Sequence, residues 1–232
     1  KYGYVSERKY ILREVIRLRE IPFEFGEENV ITSAKSAFIP KTRVQVYFLE
    51  DDKRFKPLTN LIYKAKNGRV LTDNDMRFAY FSKASLAILP HLFWRPEVLW
   101  CNDWQSALVP AFYNQHYAND EFYAGMKSVL VVHNYEKEFL AISRNTFKNT
   151  GLEEPASMKK GVVNAYEAAA EYVDLIIAID SPNKQVSKKL LELPAIKKNK
   201  SKVLIIKTAD DETPDYDKVA ARIDDRLQKL FS

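Results

Sequence analysis

EVLWCNDWQSALVPAFYNQHY (residues 97–117) and KSVLVVHN (residues 127–134) are the stretches that decide the fold. In each, a short apolar run stops at a polar pair, Asn102-Asp103 in the first and His133-Asn134 in the second. Near-continuous apolar runs of this length fit strands buried on both faces of a parallel sheet. Between them, 103–117 carries a helical pattern. In open α/β sheets ligands sit in the crevice beyond the carboxyl ends of the strands. Asp103, Trp104, His133 and Asn134 are therefore expected to line one shared crevice.

Working outward, the same rhythm continues. Strands are expected at 98–101, 129–132, 175–179 and 203–206, and helices at about 75–91, 103–117, 158–173, 183–193 and 214–230. Regular strand–helix alternation argues for a doubly wound, parallel α/β sheet over 72–232. Residues 11–49 differ. Their β-rich pieces at 13–18, 30–38 and 43–49, broken by Pro22 and Pro40, suggest a small antiparallel subregion near the N-terminus. Helix starts carry cues: Asp103 can cap the amides of Gln105 or Ser106, and Pro182 and Pro214 suit first turns after Ser181 and Thr213.

Composition narrows the function. With 232 residues, 46% of them hydrophobic, the chain can bury a full core, which excludes disorder. Its one cysteine, Cys101, excludes a disulfide framework, suits a reducing, cytoplasmic compartment, and reads as a small core residue. No apolar run reaches membrane-spanning length, so no membrane partner is expected. The +5 charge is dispersed. The run Lys197, Lys198, Lys200 and Lys202 reads as a solvated loop more readily than as a nucleic-acid patch, so no nucleic-acid partner is expected. None of the six glycines forms a phosphate-cradling pair, and G-x-G-x-x-G is absent, which disfavours a dinucleotide oxidoreductase. No His, Cys or acidic residues have metal-ligand spacing.

The candidate residues each carry two readings. Asp103 is a helix cap or a carboxylate orienting ligand hydroxyls. Trp104 is core or an apolar face for a sugar ring. His133 is a structural strand-end residue or a neutral imidazole bonding a sugar hydroxyl or a reacting oxygen.

Placed in order, the segments resemble the amino-terminal half of bacterial and plant glycogen/starch synthases. Val44 to Asp51 is similar to a family strand. Asp73-Asn74-Asp75-Met76-Arg77-Phe78-Ala79-Tyr80-Phe81-Ser82-Lys83-Ala84 resembles the family's D-N-x-x-R-F-x-x-F-x-x-A helix. Trp94 to Pro110, containing Asn102-Asp103-Trp104-Gln105-Ser106-Ala107-Leu108, resembles its N/H-D-W signature, and Val131-Val132-His133-Asn134 its T-(apolar)-H-N element. Tyr172 to Ile179 with Ser181-Pro182 resembles a later strand and helix start.

The resemblance implies one Rossmann-like half of a glycosyltransferase of the B type, spanning 1–232 as a single catalytic-region domain. It implies a retaining transfer of glucose from ADP-glucose to an α-1,4-glucan, with no cofactor and no metal. It carries over His133 and Asp103 as the catalytic pair, with Asn134 and Trp104 binding substrate and Arg77 as a structural ion-pair partner. Family members begin with a strand and a Lys-x-Gly-Gly loop, and a first β-α unit is expected upstream of residue 1. Physically, a doubly wound half has its first strand at the sheet centre. The family's second Rossmann domain, which holds most of the donor site, is not among the 232 residues. A donor-domain or homo-oligomer partner would therefore complete the site, and this chain alone is expected to show no transferase activity. Two positions depart from the family pattern, Glu167 for its lysine and Ala169 for its glycine, and the 135–139 loop has no glycine. The rival expectation is a non-catalytic glucan-binding or regulatory module.

Overall fold

The computed structural model describes residues 6–55, 63–209 and 214–232. Its centre is a four-stranded, all-parallel sheet in the order β10-β9-β6-β5. The strands are β5 (Val98–Asn102), β6 (Lys127–Val132), β9 (Leu175–Asp180) and β10 (Val203–Lys207). Their runs are apolar and helices pack on both faces of the sheet, while β5 leaves Trp100 and Asn102 exposed.

Two separate cores result. One face packs β5, β6 and β9 against α2 (Asn74–Ala87), α3 (Val109–Phe112), α5 (Ala165–Ala170), α6 (Val186–Glu192) and α7 (Pro194–Lys198), through Leu130, Val132, Ile176, Ala178 and their neighbours. The other face, with Val129, Val131, Leu175, Ile177 and Ile206, takes Val219, Ile223, Leu227 and Leu230 of α8 (Tyr216–Phe231). Those four residues repeat at helical spacing, so α8 presents a single apolar stripe. Asp215 accepts from Lys218 N (3.2 Å) and caps this helix. The expected Thr213-Pro214 start lies partly outside the described residues.

The N-terminal region is antiparallel, as its alternation suggests. After α1 (Glu7–Tyr10), β3 (Glu28–Phe38) pairs with β1 (Arg13–Glu14), β2 (Ile21–Phe25) and β4 (Gln45–Glu50). Pro22 does not break the chain there. It sits inside β2 opposite Ile31, while Ile21, Phe23 and Phe25 point into the core. The β2–β3 hairpin turns at Gly26, whose φ is +67°, and any Cβ there would collide with the backbone carbonyl of Asn149.

Several helices are shorter than expected, each for a local reason. Residues 103–117 form a 3-10 turn, α3 and a π-turn in succession. Before α5, Lys160 and Gly161 take positive φ, Val162–Asn164 forms β8 against β7 (Ala141–Ser143), and Asn164 caps Tyr166 N at 2.9 Å. The helix expected from 183 begins at Val186, because the Asp180 carboxylate binds the N–H of Ser187 (2.8 Å) and its hydroxyl (2.5 Å). The lysine run is not a loop. It spans the end of α7 and a 3-10 turn, and Lys202 Nζ donates to Val173 O at 2.9 Å. Among the described residues, no helix is long and apolar enough to cross a membrane.

Candidate functional site

The parallel register brings the ends of β5 and β6 side by side, with Asn102 opposite Val131. Asp103, the next residue, donates its N–H to Val131 O at 2.8 Å and takes φ +52°, ψ −167°. That conformation is costly for a residue with a Cβ, and such outliers persist only where their surroundings hold them. Here the holding groups are visible. Asp103 Oδ1 accepts the backbone N–H of His133 (2.7 Å) and of Asn134 (3.1 Å), while Oδ2 accepts Asn134 Nδ2 (3.3 Å). Asp103 makes no side-chain cap bond to the following turn. The sequence-level cap is therefore replaced by a bridge between strand ends.

The bridge aims its neighbours. His133 is exposed, and its Nε2 lies 3.4 Å from Asn102 Oδ1. Asn134 is held from three sides. Its backbone O accepts the hydroxyl of Tyr166 (2.7 Å), and its Oδ1 accepts Lys184 Nζ (3.0 Å). Tyr166 is fully buried, and burial raises its phenol pKa strongly, so it stays a neutral donor. Neither Tyr166 nor Lys184 was singled out by sequence reasoning. Each lies far along the chain from Asn134 and carries no spacing signal toward it.

Two cavities flank the bridge. One, of about 530 Å³, is lined by Asn134, Tyr135, Glu136, Lys184, Lys188 and Lys189 among others, and is polar and basic. Lys189 Nζ stands 5.5 Å from the Tyr135 ring centre, within cation–π range. The other, of about 620 Å³, is lined by Asn102, Asp103, Gln105 and Trp100 on one side and by Tyr47 and Phe48 of β4 on the other. The expected single crevice is thus split: Asn134 lines one cavity and Asp103 the other.

Trp104 lies under this crevice rather than on it. It is 9% exposed, stacked on Phe139 at 5.5 Å and 10°, with Phe78 at 4.8 Å and Tyr63 at 5.1 Å edge-on. Chain sterics explain the difference. The positive φ at Asp103 turns the next side chain inward, and the glycine-free loop at 135–139 delivers Phe139 onto the indole face. Arg77 is buried, its guanidinium donating to Asn74 Oδ1 at 3.0 Å and pairing with the Asp73 carboxylate. Its role is to anchor the start of α2. Cys101 is buried, and desolvation pushes its thiol up to about 12, which removes it as a nucleophile. Among the described residues, no group of three or more His, Cys, Asp or Glu could hold a metal ion.

A parallel α/β sheet with helices on both faces and an antiparallel annex defines a Rossmann-like α/β fold. The solved catalytic domain of starch synthase IV from Arabidopsis thaliana, bound to ADP and acarbose, superposes with a TM-score of 0.64 at 19% identity, covering 86% of this chain and 41% of that one. The sequence profile of the starch synthase catalytic domain matches residues 1–185, and the chain belongs to that family. Similar proteins include the glycogen synthase of Pelodictyon phaeoclathratiforme, 30% identical over 179 residues (76% of this chain, 36% of the relative). Another is that of Chlorobaculum tepidum, 26% identical over 206 residues (88% of this chain, 41% of the relative). The chain therefore spans well under half the length of these relatives.

Proposed function

We propose that this chain is the acceptor-side half of a retaining glucosyltransferase that moves glucose from ADP-glucose to the end of an α-1,4-glucan when a donor-site domain completes it. The observation that carries this reading is the Asp103 bridge. A carboxylate in a conformation unfavourable for its residue type spends two backbone bonds and one side-chain bond on the His133-Asn134 corner. That arrangement leaves the His133 imidazole exposed, with its Nε2 3.4 Å from Asn102 Oδ1, where it can meet a sugar hydroxyl, with Asn134 and Lys184 beside it. Asp103 then acts as a positioning residue, and His133 as the group that touches acceptor. The reading places the protein in the cytoplasm and needs no cofactor. It asks for a donor-site domain, because stabilising the departing diphosphate requires preorganised charge.

The test has two arms. Maltoheptaose titrated into the protein should bind, and His133→Ala should weaken binding at least tenfold. The chain alone should incorporate no glucose from ADP-glucose into glycogen. Absence of glucan binding would overturn the proposal, and so would turnover by the chain alone.

One observation favours a second reading, a non-catalytic glucan-binding or regulatory module. Glu167 stands where the resembling enzymes have lysine, and its carboxylate accepts the N–H of Ala195 (3.2 Å) at the start of α7. A side chain used as a helix cap is not offered to a diphosphate. Glucan binding by the natural full-length protein without any transfer from ADP-glucose would select this reading.

A further inference from the structure

The Asp103 bridge gives no reason for the basic cavity beside Asn134. Its lysines come from one short stretch, and the backbone of that stretch is pinned. Ser181 N donates to Lys184 O (2.9 Å) and Lys184 N to Ser181 O (3.1 Å), which closes a tight turn. The Asp180 carboxylate holds Ser187 at the head of α6, and Val186 and Leu190 anchor the helix in the core. The turn and α6 thus deliver Lys184, Lys188 and Lys189 to the wall of one cavity of about 530 Å³, and all three are exposed.

Their partners are neutral. Lys184 Nζ donates to the Asn134 amide oxygen at 3.0 Å, and Lys189 Nζ stands 5.5 Å from the Tyr135 ring centre. Among the described residues, none of the three lysines is in an ion pair, and neither is Glu136, the one carboxylate lining the cavity. Elsewhere in the molecule lysines and carboxylates do meet. Glu138, two residues past Glu136, pairs with Lys64 at 2.6 Å. Three ammonium groups around one void repel one another, and an anion between them converts that repulsion into attraction. The donors for it are in place. An ammonium has three N–H groups, and Asn134 takes one of those on Lys184.

We propose that this cavity binds a phosphorylated sugar, with the phosphate held among Lys184, Lys188 and Lys189 and the sugar beside Tyr135. Size and wall chemistry select the occupant. The volume falls in the range of small-molecule sites and far exceeds what a phosphate alone fills. The one aromatic ring lining it, Tyr135, is already engaged by Lys189 and by the Tyr166 ring at 6.0 Å. A nucleotide base therefore finds no apolar stacking slot, whereas hydroxyls and a phosphate match amide and ammonium donors. The inference does not rest on the glucan reading, because Lys188 and Lys189 make no contact with the Asp103 bridge.

Isothermal titration calorimetry at low ionic strength tests the proposal, with glucose 6-phosphate as the probe and glucose, inorganic phosphate and ADP as comparisons. Glucose 6-phosphate is expected to saturate one site, to bind more tightly than the other three, and to weaken as salt screens the lysines. The double substitution Lys188→Gln, Lys189→Gln should reduce its affinity by about tenfold or more, since it removes two charge-assisted contacts. Both residues are exposed, so the melting temperature should stay put. Lys188→Arg with Lys189→Arg keeps the charge and should keep most of the binding. The proposal is overturned if glucose 6-phosphate shows no saturable binding, or if the glutamine variant binds it unchanged. Equal affinity for inorganic phosphate would reduce the cavity to a patch of positive charge and would also overturn it. Tighter binding of ADP would do the same, by making a nucleotide the occupant. Maltoheptaose binding should persist in the glutamine variant, and its absence from the unsubstituted protein would count against the glucan reading alone.

Discussion

Asp103 Oδ1 lies 2.7 Å from the backbone nitrogen of His133, so a side chain at the end of one strand fixes the main chain at the end of the next. Parallel strands end in loops that nothing in the ladder restrains. Here a carboxylate does the restraining, and hydrogen bonds to a charged acceptor are stronger than neutral ones.

Substituting Asp103 separates the bond from the backbone strain. Asp103→Ala removes the bridge and keeps the positive φ, and should lower unfolding free energy by about 2–3 kcal/mol. Asp103→Gly loses the same bonds but relieves the conformation, and should recover about 1 kcal/mol of that loss. Urea denaturation of the two variants checks the order. Equal losses would show that the φ of +52° stores no strain.

His133 offers the opposite case. Its backbone, not its ring, joins the bridge, and the ring is exposed. His133→Ala should shift the melting temperature by under about 2 °C, since exposed substitutions change stability little. Its effect should fall on glucan affinity. A large thermal loss would mark the imidazole as structural.

Trp104 is expected to behave as core. With its stacking face against Phe139, Trp104→Ala should destabilise the fold by about 3–5 kcal/mol. Trp104→Phe should retain most of that. If glucan binding by Trp104→Phe falls tenfold while its unfolding curve is unchanged, the indole touches ligand after all.

Cys101 predicts a pH dependence. Burial raises its thiol from about 9 to about 12 in the folded chain. The folded form therefore holds a proton that the unfolded thiol gives up, so this contribution to stability is intact below about pH 9 and is lost as pH rises toward 12. A thiol reagent at pH 8 should label the native protein negligibly and the unfolded protein fully. Cys101→Ser should flatten the decline in stability above pH 9. Fast labelling of native protein would contradict the buried position.

Much of this molecule is written locally. The apolar runs ending at Asn102-Asp103 and His133-Asn134, the alternation of strand and helix after residue 72, and the different rhythm before residue 50 together specify a parallel α/β sheet with an antiparallel annex. Periodicity carries that information because the side chains of a strand buried on both faces must all be apolar. Cys101 was legible as core for the same reason.

What sequence spacing could not express is where the polar ends would meet. Asp103 was legible as a helix cap, since Asp before a helical run ordinarily caps it, yet its carboxylate turned to His133 and Asn134 because the sheet register set those amides closer than the next turn. Tyr166 and Lys184 reached Asn134 from separate elements. Trp104, beside Asp103 in sequence, went beneath the site once a positive φ reversed its direction and Phe139 arrived to cover it. The chain by itself determined which segments are strands and which are helices, because that is settled by neighbours a few residues away. Only the tertiary structure decided which polar groups share a site, because hydrogen bonds between strand ends depend on register and on loops that no local pattern encodes.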